Sequence, residues 1–139
     1  MRIMAIDYGD AHTGIAISDP TGFLTGYSTV INAYRAEVVA QEVARLAREH
    51  GVEELVLGHP INMDGTRGPR SEKAQAMAEL LRAATGLPVT LWDERRTTID
   101  AHQILMNNGK NAKKRKKTVD AVAASLILEG YLTFKKSRG

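Results

Sequence analysis

The chain contains no cysteine. That absence removes disulfide scaffolds, thiol nucleophiles and cysteine-rich zinc sites together. It also lacks any apolar run approaching the roughly 18 residues of a membrane-spanning helix. The opening stretch MRIMAID is interrupted by Asp7 too soon to act as a secretory leader. These absences predict a cytoplasmic protein with no membrane partner. There is no internal repeat, and low complexity is confined to the run KKRKK at 113–117. What remains is ordinary: 139 residues, 43% hydrophobic and 25% charged, are enough for one globular domain over 1–139 with a real core.

The formal net charge of +3 hides an asymmetry. From Lys110 to the end there are nine lysines and arginines against two acids, Asp120 and Glu129, a net +7, so the remainder carries −4. A neutral-to-acidic body with a basic end points to a polyanionic partner.

Hydrophobic spacing alternates between two periods. RIMAID (2–7) and GIAISD (14–19) are short, Ile-rich and joined by a Gly-containing loop, which predicts an antiparallel pair. FLTGYSTVIN (23–32) follows a Pro-Thr-Gly turn as a third strand. Ala36, Val39, Ala40, Val43 and Ala47 then recur at helical spacing, and Gly51 stops a helix of 35–50. ELVLGHP (54–60) reads as a strand covered on both faces. After the loop INMDGTRGPRS come a helix of 70–85 ended by Gly86, a strand LPVTLW (87–92), a short helix of 97–107 and a final helix of 118–134. The fold class is therefore α/β, with a mixed five-stranded sheet: an antiparallel meander plus parallel strands, flanked by helices. If 2–7, 54–59 and 87–92 run parallel, their C-terminal ends share the edge where open α/β sheets bind ligands.

Acids gather at that edge. Asp7 ends the first strand, where an Asx-type turn would also explain it. Asp93 and Glu94 follow the strand at 87–92, and either suits a helix N-terminus. Asp120 falls in the first turn of the final helix, with Thr118 as its cap. Each acid has a local explanation, but no local explanation predicts their common location. Ala121, Ala123 and Ala124 would let the final helix come close to the sheet. Carboxylates brought together repel and titrate upward unless cations intervene. Oxygen ligands without cysteine favour Mg²⁺ or Mn²⁺ over zinc. Two such ions about 4 Å apart activate a water and stabilise the leaving oxygen of a phosphodiester.

Four segments, AIDYGDAHTGIAISD, LVLGHPINMDGTRG, DERRTT and KKTVDAVAASLIL, resemble the signature segments of the YqgF/RuvX family, small bacterial proteins related to RuvC-type resolvases. They occur in the family's order and span nearly the whole chain. The resemblance implies a ribonuclease H-like fold and nuclease activity, with 5′-end maturation of the 16S ribosomal RNA precursor as the assigned role. It puts Asp7, Glu94 and Asp120 at the metal-binding acid positions. His12 stands where the family more often has arginine, Arg96 where it commonly has leucine, and His59 where it more often reads Gly-Leu-Pro.

The expected partner is nucleic acid: structured RNA of a ribosomal precursor, with branched DNA as the rival substrate. Arg95 and Arg96 suit phosphate, since guanidinium forks onto two oxygens, and His12 would add a partly charged contact. Lys113, Lys114, Arg115, Lys116 and Lys117, with no aromatic interleaved, would bind phosphates without sequence preference. His59 reads as a structural residue beside Pro60. Junction cutting needs paired active sites, so a monomer and a homodimer predict different substrates. A non-catalytic RNA-binding assembly factor is the alternative outside enzymology, and an actin-like phosphate-binding half is a further one, suggested by DYGDAHTG.

Overall fold

In the computed structural model, described over residues 1–21, 25–59, 68–93 and 112–138, eight elements follow one another. They are β1 (Arg2–Asp7), β2 (His12–Ser18), β3 (Thr25–Asn32), α1 (Ala36–His50), β4 (Val52–His59), α2 (Pro69–Thr85), β5 (Val89–Asp93) and α3 (Ala112–Arg138). The strands form one sheet in the order β3-β2-β1-β4-β5. β1, β2 and β3 are antiparallel neighbours, whereas β1, β4 and β5 run parallel. Both parts of the predicted sheet are present. The short helix expected over 97–107 lies outside the described residues.

Side-chain alternation along each strand divides the core in two. Met4 and Ile6 of β1, Ile15 and Ile17 of β2, and Leu55 and Leu57 of β4 face α1 and α2. Ile3, Ala5, Ala16 and Val56 face α3, against Ala124, Ile127, Leu128 and Tyr131. Strands buried on both sides need apolar residues at successive positions, which is why RIMAID shows no alternation. α1 turns Val39, Ala40, Val43, Leu46 and Ala47 to the sheet, and ends where Gly51 adopts φ 66° and donates to the Ala47 and Arg48 carbonyls. α2 begins with Pro69 in its first turn and ends at Gly86, φ 71°.

The last helix departs from expectation. It starts at Ala112, not near Thr118, so Thr118 is no cap and Asp120 lies eight residues inside the helix. The favourable dipole contribution predicted for Asp120 is absent there, because it is confined to the first turn. Alanine, lysine and arginine are strong helix formers, and they carry the helix backward through the basic run without an apolar stripe to announce it. Within α3, side chains are described for 122–135. There Ala123 and Ala124 are buried. Gly130 is explained by packing: a Cβ on it would stand 3.3 Å from Cζ2 of Trp92.

Candidate active site

Asp7 is the last residue of β1 and is half-buried. It shares parity with Ile3 and Ala5, so it stands on the α3 face of the sheet. Its register partner on β2 is Gly14. On the other side, Ile6 pairs with Leu57, so the next position of β4 beside Asp7 is Gly58. The carboxylate is thus flanked on its own face by a glycine on each neighbouring strand, a pattern that marks close approach of a ligand or another backbone.

The turn from β1 to β2 sets the rest of this edge. A Cβ at Gly9 would collide with the carbonyl oxygen of His12, so only glycine permits the tight return. His12 then begins β2 opposite Asn32, the last residue of β3, and its Nδ1 lies 2.7 Å from the Asn32 side-chain oxygen. Asp10, in the turn, is paired at 3.2 Å with Lys73 of α2.

His59 ends β4 on the opposite face. It is buried, with Nε2 2.6 Å from Oγ of Ser71 in the first turn of α2, and Ser71 also accepts from Gln75 at 3.2 Å. Asp93 is the register partner of His59 on β5. Serine, histidine and aspartate in this order suggest a hydrolytic triad, but Ser71 is 0% exposed and no substrate could reach it. The expected structural role for His59 agrees with this geometry: its imidazole ties the two ends of the 60–67 connection together. His59→Ala should lower stability by about 1–3 kcal/mol, the cost of leaving a buried polar partner without its bond. In thermal melts the loss should be shared with Ser71→Ala, so that the double variant falls short of the sum.

A second buried polar group anchors α3. Glu54 of β4, 9% exposed, accepts from Nζ of Lys135 at 2.7 Å and from the hydroxyl of Tyr131, which also approaches Thr90 at 3.4 Å. Burial, and then the hydrogen bond to Glu54, raise the Tyr131 hydroxyl above its ordinary pKa. The bond to Glu54 does the same for Lys135.

Of the predicted site residues, Asp7 and His12 come to one edge and one face of the sheet. Glu94, Arg95 and Arg96 lie outside the described residues. Asp120 and Lys113 to Lys117 belong to α3, with side chains outside them. Among the described residues, no three potential metal ligands are grouped. Asn32, Ser71 and Glu54 were missed by sequence reasoning. Only strand register or tertiary packing reveals their contacts.

Residues 1–134 match the model of a family described as RuvX, Holliday junction resolvase. The chain belongs to the RuvX family. Among curated RuvX-like relatives, one from Halothermothrix orenii named "Putative pre-16S rRNA nuclease" is 42% identical over 135 residues, spanning 97% of this chain and 96% of its own. One from Listeria monocytogenes with the same name is 45% identical, spanning 95% of this chain and 97% of its own. RuvC of T. thermophilus, solved in complex with a Holliday junction substrate, superposes with a TM-score of 0.64 at 15% identity, covering 99% of this chain and 96% of that one. The likeness to RuvC carries the ribonuclease H-like fold. RuvX membership and the relatives at 42% and 45% identity make the chain a nuclease, an enzyme acting on phosphodiester bonds.

Proposed function

We propose that this RuvX-family chain is a metal-dependent nuclease that matures the 5′ end of the 16S ribosomal RNA precursor. The observation that carries the reading is Asp7: an acid at the C-terminal end of the central strand, on the α3 face, with glycine on both flanks. The donor set fits a hard cation. It is all oxygen in a chain without cysteine, and Asp7 stands half-buried at the end of its strand.

Asp7, Glu94 and Asp120 would hold Mg²⁺ or Mn²⁺. Bound there, such ions supply a water of lowered pKa and offset charge on the leaving oxygen. Strand parity favours Glu94 over Asp93, because Asp93 sits with His59 and Leu91 on the face away from Asp7. Helix spacing supports Asp120. It precedes Ala124 by one turn, and Ala124 packs in one cluster with Ala5, one same-face step before Asp7.

The chain's own part is to position the backbone and balance its charge. Arg95 and Arg96 would fork onto phosphate oxygens. Lys113, Lys114, Arg115, Lys116 and Lys117 occupy more than one full turn, so their backbone positions surround the helix axis. Cations at a helix N-terminus oppose the macrodipole. A bound polyanion offsets that local cost, which supports a nucleic-acid role for the run.

The test is cleavage of a labelled ribosomal RNA precursor and a four-way DNA junction with Mg²⁺, Mn²⁺ or EDTA. Precursor cutting that requires the cation is the expected result. Cutting of the junction alone would move the substrate to branched DNA and require a dimer, measured by sedimentation. RNA binding without cutting under either cation would leave a non-catalytic assembly factor.

A further inference from the structure

We propose that Asn32 is a positioning residue that aims His12 at a substrate phosphate beside the one attacked, along the sheet edge that Asp7 and His12 share. The inference rests on reading Asp7 as the reaction centre. Strand register carries the geometry. Asp7 pairs with Gly14, and His12 pairs with Asn32, so all four share the α3 face. His12 is the diagonal neighbour of Asp7, a separation of about 7–8 Å between Cα atoms. Asp7 ends β1 and His12 begins β2, so both stand at one edge of the sheet, beside the buried Gly14. A phosphodiester backbone lying along this edge would meet the Asp7 carboxylate and the His12 imidazole in turn.

Asn32 decides what the imidazole offers. Its side-chain oxygen only accepts, so at 2.7 Å the bond requires a proton on Nδ1 of His12. With Nδ1 committed, Nε2 is the ring nitrogen left for the substrate, and in the charged ring it is a donor to an anion. Among the described residues, Asp7 stands across the diagonal and Asp10 in the preceding turn, the latter held by Lys73. A histidine has one outward donor where arginine has several, so its aim depends on a partner that arginine would not need.

Binding of a single-stranded RNA oligomer separates this from a surface contact of no consequence. It is measured in an Asp7→Asn background so that no cleavage intervenes. His12→Ala and Asn32→Ala should each weaken binding about fivefold. Each should also reduce the slope of log K against log salt by up to about 0.7, the share of one phosphate. The double variant should be no weaker than His12→Ala, because Asn32 acts through His12. His12→Arg introduced with Asn32→Ala should restore the affinity. The proposal is overturned if Asn32→Ala leaves affinity and slope at the parent values, or if the two losses add in full. Absence of cleavage by the native chain would instead count against the nuclease reading, and these binding differences would still be measurable.

Discussion

Asp7→Asn should reduce cleavage of the RNA precursor by at least about a thousandfold, while the protein keeps its fold and still binds RNA. The magnitude follows from the chemistry proposed for the residue. Removing the charge that holds a cation removes several kcal/mol of transition-state stabilisation, and each 1.36 kcal/mol is a factor of ten in rate. The fold survives because asparagine matches aspartate in volume, and because the β1 core lies at Ile3, Met4, Ala5 and Ile6. Circular dichroism melts and RNA binding, read beside the cleavage rate, separate loss of chemistry from loss of structure. A variant that still cuts within tenfold of wild type would remove Asp7 from the reaction. An unchanged rate with a lowered melting temperature would make the acid a structural group.

Glu54→Ala should have the largest effect on stability among polar changes. It deprives Tyr131 and Lys135 of their common acceptor, and with them the tie between β4 and the C-terminal half of α3. Tyr131 is buried, whereas the Lys135 side chain is 38% exposed and regains water. The cost is therefore set mainly by the tyrosine and the emptied site, about 2–3 kcal/mol, or roughly 5–15 °C in melting temperature for a chain of this size. The pH dependence has a definite sign. Tyr131 and Lys135 both bind their protons more tightly in the folded chain. Their contribution is complete below the unfolded values of about 10.0 and 10.4 and is lost as pH rises through the raised folded ones. Wild type should lose stability in the alkaline range above about pH 10 more steeply than Glu54→Ala. Parallel profiles would mean that the Glu54 hydrogen bonds do not set those proton affinities.

What could be read from the sequence was what local periodicity encodes. The spacing of Val39, Ala40, Val43 and Ala47 and the stop at Gly51 defined α1 closely, because both signals lie within one element. Asp7 was recognisable as a strand-end acid because the apolar run RIMAI ends on it. Ala123 and Ala124 were expected to bring the last helix close; both are buried, and Ala124 packs in one cluster with Ala5 and Ala16. The start of α3 was missed because Thr118 followed by Asp120 mimics a capped first turn, while the lysines before it carry helix propensity and no periodic pattern. Contacts such as His59 with Ser71, Glu54 with Tyr131 and His12 with Asn32 depend on register and packing between elements 12 to 77 residues apart. No local signal marks them. The assignment of Asp93 to one face and Asp7 to the other likewise required the sheet.

The two halves of the core differ in grain. On the α1 and α2 side, β1 and β2 present Met4, Ile6, Ile15 and Ile17, whereas on the α3 side the middle of both strands is alanine, Ala5 against Ala16. A slip of one residue in β1 would exchange the two sets, driving isoleucine and methionine under a close helix and leaving alanines beneath two others. The same slip would carry Asp7 through the sheet to the wrong side. Coarse and fine packing thus form a lock that only one register opens, and the face on which the acid stands is kept by the volumes of the core residues beside it.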